Sequence, residues 1–227
     1  MSGAILVLGG TGLLGRATSA ELARRGRAHV APARAALDLS DLASAPARLD
    51  DLHPTAIFNL SAFTDVAGAE RPENRKAATE LNAELPGVLA AYCARRKIPL
   101  VHISTDYVFD GAKRVPYVET DAVNPLQVYG ATKLDGETAA LAENARVLIL
   151  RVSTLYGPGR AHRLAYVDAI LAQARTKAAE GGGALSVVTP PVSSPTYAPD
   201  VAPALIALFD LGVTGIVHTV NDGGRSE

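Results

Sequence analysis

A chain of 227 residues, 48% of them hydrophobic, suits one large domain, or one domain with a small appendage, around a sizeable core. Its 22 Lys and Arg against 23 Asp and Glu leave a formal charge of −1, which excludes a nucleic-acid or anionic-membrane partner held by bulk electrostatics, and its single cysteine, Cys93, excludes an internal disulfide framework. No apolar run approaches the ~20 residues that span a bilayer, and the opening Ala4–Leu8 lacks a basic leader, so a soluble, cytoplasmic protein is expected.

Ala4-Ile-Leu-Val-Leu8 reads as a short strand buried on both faces of a parallel sheet. Gly9-Gly-Thr-Gly12-Leu-Leu-Gly15 follows at once, and then an amphipathic helix from about Arg16 to Arg25. Strand, glycine turn and helix in that order are the context of a dinucleotide fingerprint, here spaced GxxGxxG rather than the commoner GxGxxG. Gly9 and Gly12 would let backbone N–H groups approach a pyrophosphate at the helix N-terminus, and Gly15 would let the helix pack closely on the sheet. A Walker phosphate loop is excluded, because Arg16 stands where Lys-Ser/Thr is needed. A second strand, about Ala28–Ala33, ends in Ala31-Pro-Ala-Arg34. An acidic residue there would select NAD; none is present, and Arg34 either accommodates the extra phosphate of NADP or is a loop cation. Asp38, in Leu37-Asp-Leu-Ser-Asp41, is either an adenosine contact or a turn residue before a short helix.

Thr55–Leu60 reads as another buried strand, ending in Ser-Ala-Phe-Thr64-Asp65. Small residues at such a strand tip line the cofactor crevice of open α/β sheets. Arg71–Arg96 is a long helical stretch with a break or kink near Pro86. Its closing Arg95-Arg96-Lys97 suits the negative end of a helix dipole and implies no partner. Ile98–Ser104 and Arg146–Val152 are further strands, Leu164–Ala179 a helix stopped by Gly181-Gly-Gly183, Leu185–Val188 a short strand, Pro199–Leu211 a helix and Ile216–Val220 a last strand. Strands alternating with helices argue for a doubly wound, Rossmann-type parallel sheet of the α/β class. Residues 1–152 would form its dinucleotide-binding domain, and 153–227 a mixed segment that adds the substrate side and returns strands to the sheet. The five histidines have no metal-ligand spacing, so no metal is expected, and His102 within its strand reads as a core residue rather than a base.

The stretch from Val101 to Lys133 carries the chemistry. Hydroxyls end its strand (Ser104, Thr105), and its helix bears Tyr129 and Lys133 four residues apart, on one face. A tyrosine ordinarily titrates near pH 10. A unit charge ~4 Å away is worth roughly 4 kcal/mol at an effective dielectric near 20, so Lys133 is expected to acidify Tyr129 toward neutral pH, where it could trade a proton with a carbonyl or alcohol.

Taken together, GGTGLLG, LDLSD, NLSAFTDVAGAE, LNAELPGVLA, HISTDYVFDG, YVETDAVNPLQVYGATKLDGE, LRVSTLYG, SPTYAPDVA and GIVHTVNDGG resemble the extended short-chain dehydrogenase/reductases and, within them, the dTDP-4-dehydrorhamnose reductase family. The resemblance implies hydride transfer from reduced nicotinamide to the C4 carbonyl of a nucleotide-linked 4-keto-6-deoxysugar. It implies Thr105, Tyr129 and Lys133 as the catalytic set, with Thr105, Tyr107 and Tyr129 facing the substrate and Lys133 also binding the nicotinamide ribose. The cofactor would lie on Gly9, Thr11, Gly12, Leu13, Leu14, Gly15, Arg34, Asp38, Leu39, Leu60, Ser61, Ala62, Thr64, Tyr129 and Lys133. NADPH is the expected cofactor and NADH the alternative. A homodimer is an open alternative to the monomer.

The chain departs from the family's pattern in three places. A Trp usual near the sugar is replaced by Thr154 or Leu155, Thr189-Pro-Pro-Val-Ser stands for Asp-Gln-x-Gly, and the family continues beyond the last strand, so a small, truncated C-terminal substrate lobe is expected. Two alternatives accompany the reductase. An epimerase or dehydratase of the same superfamily is one, although Thr105-Asp106-Tyr107 lacks the Glu that a dehydratase wants. The other is a non-catalytic NADP-binding regulatory subunit, because the β regulatory subunit of methionine adenosyltransferase is similar in its SDYVFDG and YGxTKLDGE motifs.

Overall fold

Four largely apolar runs and one His-Val pair form parallel strands in chain order: β1 (Ile5–Leu8), β2 (His29–Val30), β3 (Ala56–Asn59), β4 (Leu100–Thr105) and β5 (Val147–Val152). A separate two-stranded pair follows, β6 (Leu155–Tyr156) with β7 (Thr196–Tyr197), and then β8 (Gly215–His218) rejoins the first sheet beside β5. The computed structural model describes residues 3–143, 146–158, 166–182 and 193–223. Among these, the main sheet has the order β2-β1-β3-β4-β5-β8, and every pairing in it is parallel. The chain moves outward from β1 to β2 and then crosses back to β3. That reversal opens a crevice beyond the carboxyl ends of β1 and β3, where such sheets bind ligands.

Successive residues of a strand point to opposite faces, and both faces are covered. Ile5, Val7, Phe58, Leu148 and Leu150 pack with Leu22 of α1 (Leu13–Arg24) and with Leu205 and Ile206 of α8 (Ala198–Asp210). On the other side Leu6, Leu8, Ile57, Leu100 and Ile149 meet Leu49 of α2 (Ala45–Asp50), Leu85 and Leu89 of α5 (Leu85–Arg96), and Ala140 of α6 (Val128–Ala142). Each such side chain taken out of water contributes roughly 1.5–3 kcal/mol. Short helices α3 (Val66–Ala69) and α4 (Pro72–Thr79) lead into α5, and α7 is Tyr166–Ala179.

The doubly wound α/β sheet expected from the strand–helix alternation is present, with differences of detail. The second strand shrinks to two residues, because Pro32 has no N–H for a ladder. The helical stretch over Arg71–Arg96 is interrupted near Pro86, as expected, and the interruption is a π-helical turn, Glu80–Glu84. Pro86 accounts for it: without an N–H it leaves the carbonyl of Asn82 without its helical donor. The β6–β7 pair was not anticipated. The expected strand Leu185–Val188 and most of the Thr189–Ser193 loop lie outside the described residues.

Candidate active site

A crevice of about 830 Å³ runs across the carboxyl ends of the strands. Its first wall is the turn after β1, formed by Gly9, Thr11, Gly12, Leu13, Leu14 and Gly15. Gly9 has φ +73°, and a Cβ there would meet the Leu60 carbonyl at 2.6 Å; a Cβ on Gly15 would collide with the carbonyl of Gly9. The turn closes with Gly12 N donating to Gly9 O at 2.8 Å. No side chain caps the start of α1 at Gly12, so the first-turn N–H groups and the positive end of the helix face the crevice, an arrangement that fits a pyrophosphate. The opposite wall is Leu60, Ser61, Ala62 and Thr64, past the tip of β3. Asn82 in the π-helical turn pins this wall. Its Oδ1 accepts from Phe63 N at 2.9 Å, and its Nδ2 donates to Phe63 O at 3.1 Å and to Thr132 Oγ1 at 3.2 Å.

Three expected cofactor residues lie off the crevice wall. Arg34 is exposed and pairs with Asp38 at 3.6 Å. The Asp38 carboxyl is held below its ordinary range first by the backbone N–H of Ser40, at 3.0 Å. Leu39 too is absent from that wall. Its side chain is buried in the hydrophobic core with Leu6, Leu8 and Leu49, because that stretch turns its apolar residues under the sheet.

Thr105, Tyr107, Tyr129 and Lys133 meet at the far end of the crevice. Thr105 ends β4, where its Oγ1 accepts from Tyr107 N at 3.2 Å and reaches Asp106 Oδ1 at 3.2 Å. Glu70 caps α6 from outside, its Oε1 accepting from Val128 N at 2.8 Å, which fixes the helix start one residue before Tyr129. The Tyr129 phenol and the Thr105 hydroxyl line the same end of the crevice. The ring of Tyr107 meets that of Tyr129 edge-on, with centroids 5.8 Å apart and planes at 81°.

Lys133 does not act on the phenol as expected. Its side chain, 1% exposed, runs inward to β4, where Nζ donates to Ile103 O at 2.5 Å and lies 3.2 Å from His102 Nε2. Burial pushes the Tyr129 phenol up to about 12, the Thr105 hydroxyl opposing and Asp106 and Tyr107 adding to the rise. Lys133 is lowered to about 8, again by burial, with Glu137 opposing. The difference has a plain cause: the lysine is drawn to the carbonyl of Ile103 rather than to the phenol, and burial of the phenol outweighs what field remains. The phenol therefore stays protonated at neutral pH, which is the form that donates a proton to a nascent alkoxide.

Further residues belong to the site that their spacing did not mark. Asp106 Oδ2 accepts from Ser153 Oγ at 2.5 Å, joining the tips of β4 and β5. Val152, Ser153, Thr154 and Leu155 line the crevice, as do Arg16, Val66 and Ala67. The rule that strand tips line the crevice, applied to β5 as well as β3, finds Ser153 and Thr154. His102 and Asn59 are both buried and stand side by side in the sheet register, with Asn59 Nδ2 and His102 Nδ1 3.1 Å apart. Among the described residues, no group of three or more His, Cys, Asp or Glu is placed to hold a metal ion.

The chain matches the family model described as the RmlD substrate binding domain over residues 3–227. It is 38% identical over 224 residues to a dTDP-4-dehydrorhamnose reductase of Mycobacterium tuberculosis, covering 96% of this chain and 70% of that protein. Its fold superposes with a TM-score of 0.87 on a dTDP-4-dehydrorhamnose reductase of Clostridium acetobutylicum, at 32% identity, over 98% of this chain and 75% of that one. A dTDP-4-dehydrorhamnose reductase of Bacillus anthracis in complex with NADP gives the same TM-score of 0.87 at 27% identity, over 100% and 77% of the two chains.

Proposed function

The chain belongs to the RmlD substrate binding domain family, and from that premise we propose that it is an NADPH-dependent reductase of a nucleotide-linked 4-keto-6-deoxysugar. One observation carries the reading: a phenol and a hydroxyl, Tyr129 and Thr105, line the same crevice as an uncapped, glycine-lined helix start. Reduced nicotinamide supplies the hydride that such a reaction needs. The chain's own groups do the rest. Tyr129 donates its proton to the oxygen at C4 as charge develops there, and Thr105 hydrogen-bonds the same oxygen. In the free protein Asp106, held by Ser153, accepts the Thr105 proton in a hydrogen bond, and that proton turns to the C4 oxygen as the charge develops. Lys133 orients the ribose next to the reacting carbon.

The cofactor preference rests on Arg34, exposed and paired with Asp38, where a guanidinium can take a 2′-phosphate. Among the described residues no helix is long and apolar enough to cross a membrane; a cytoplasmic location and a homodimer are part of the proposal. The inward setting of Lys133 favours a second reading, a non-catalytic NADP-binding subunit. One experiment separates the two: NADPH oxidation followed against a panel of dTDP-4-keto sugars, alongside NADPH titration by fluorescence. Turnover of a keto sugar supports the reductase. Tight NADPH binding without turnover of any of them supports the regulatory subunit.

A further inference from the structure

Beneath the crevice floor a row of four side chains runs from one wall to the other. Ser61, on the wall, donates from Oγ to Asn59 Oδ1 at 2.6 Å, and its backbone N–H approaches the same oxygen at 3.3 Å. A backbone N–H cannot accept, so the face of the Asn59 amide toward Ser61 is its oxygen, and its NH2 faces His102. The NH2 can only donate, so His102 Nδ1 at 3.1 Å is the acceptor, and the ring's one proton sits on Nε2. Nε2 in turn lies 3.2 Å from Lys133 Nζ. An ammonium has no lone pair and would oppose an N–H there, whereas a neutral amine accepts it and still donates to Ile103 O at 2.5 Å. His102 is itself fully buried and pushed well below its ordinary range by that burial, so it is not the charged partner.

We propose that His102 is a positioning residue that, donating from Nε2, favours the neutral amine of Lys133 in the free protein at alkaline pH, and that NADPH binding there restores its charge by uptake of a proton from solvent. The second half rests on the reductase reading for its cofactor; the first does not. The groups around the pair leave room for such a change. From β3 comes only the neutral Asn59, and across the register on β5 stands the apolar Ile149. On α6 the Tyr129 phenol is uncharged below about 12. One turn past Lys133, Glu137 favours the charged amine, but its carboxylate is already taken by Arg151 of β5, at 2.9 and 2.6 Å. The ribose hydroxyls, as acceptors beside the amine, and the cofactor phosphates at longer range would favour the ammonium. The ammonium so formed turns its N–H groups to the Ile103 carbonyl and to the crevice, away from Nε2. At alkaline pH the field on Tyr129 anticipated from the four-residue spacing would then be restored in the complex.

Two measurements test this. The ring nitrogen shifts of His102, assigned by their loss in His102→Gln, report its tautomer in the free protein at pH 8.5, where the 2′-phosphate is already fully ionised. Calorimetry of NADPH binding at that pH, in buffers of different ionisation heat, counts protons. The expected results are an Nε2–H ring and an uptake of roughly three-quarters of a proton, the fraction a group titrating at about 8 still lacks. Asn59→Asp puts an obligate acceptor against Nδ1 and reverses the row. Its ring should carry Nδ1–H, its Lys133 should be charged beforehand, and its proton uptake should fall to near zero. His102→Gln, whose amide can turn its oxygen to the ammonium, should lose the uptake as well if Asn59→Asp folds poorly. An Nδ1–H ring in the unsubstituted protein, or NADPH binding without proton uptake, overturns the proposal. Absence of NADPH binding would remove the reductase reading and the uptake with it, and the tautomer alone would then decide the role of His102.

Discussion

Arg151 grips Glu137 with two parallel hydrogen bonds, at 2.9 and 2.6 Å, and the side chains are 4% and 2% exposed. The pair ties the helix that carries Tyr129 and Lys133 to the strand next to Thr105. Its guanidinium also lies 5.1 Å over the ring of Phe109. Removing one partner strands the other's charge in a dry interior, which costs about 3–5 kcal/mol. Arg151→Met should therefore lower unfolding free energy by that order, and Arg151→Met with Glu137→Leu should recover much of it. Urea denaturation of the two variants checks this; equal losses in single and double variants would show that packing, not charge, is at stake.

Tyr129→Phe removes one oxygen and keeps the ring against Tyr107. In the reductase reading the lost group delivers the proton, and general acid catalysis is worth about 10²–10⁴-fold. Single-turnover reduction of a dTDP-4-keto sugar should slow by at least two orders of magnitude, with NADPH affinity nearly unchanged. Lys133→Ala should weaken both. Undiminished turnover in Tyr129→Phe would refute the mechanism.

For Arg34→Ala the expected change is in cofactor choice. A charge-assisted hydrogen bond to the 2′-phosphate is worth ~1.5–3 kcal/mol, so the ratio of NADH to NADPH dissociation constants should fall by roughly tenfold or more. The exposed pair with Asp38 contributes little to stability, so the melting temperature should hold. An unchanged ratio would mean that the phosphate is read elsewhere.

Alkaline stability should follow two buried groups. Lys133 is lowered from 10.5 to about 8, so above pH 8 the unfolded chain binds more protons than the folded one, and stability rises with pH. Cys93 is raised from 9.0 to about 12 by burial, so above pH 9 the folded chain binds more, and stability falls. Between pH 8 and 9 the Lys133 effect should dominate, a gain on the order of 1 kcal/mol. Chemical denaturation across that interval measures it. Lys133→Met should abolish the rise, and Cys93→Ala should soften the later loss.

Much of this architecture is legible in the chain because burial on both faces makes each central strand an unbroken apolar run, as in Ile5–Leu8 and Val147–Val152. Local geometry is legible too: a glycine turn between strand and helix is a short-range feature, and so is a four-residue spacing on one helix. What escapes such a reading depends on partners far along the chain. The aim of Lys133 is set by the Ile103 carbonyl and the His102 ring, some thirty residues earlier. Leu39 stands beside Asp38, a polar turn residue, yet its side chain is fixed by Leu49 and by β1. The β6–β7 pair joins residues 155–156 to 196–197, two residues on each side, too short to show any period.

The tie between Asp106 and Ser153 also links recognition of the sugar to aim of the hydroxyl. Ser153 Oγ donates to Asp106 and accepts from Ser194 N at 3.3 Å, while Asp106 receives the hydroxyl of Thr105. Ser194 opens the segment that leads into β7 and lines a second cavity with Asp106 and Ser153; in the reductase reading that cavity would be the sugar's entrance. A relative that reshaped this entrance for another sugar would tug the same thread and rotate the Thr105 hydroxyl. Changes of diet and changes of turnover should therefore be inherited together, and entrance variants selected for a new sugar should need a compensating substitution at Asp106 or Ser153 to regain speed.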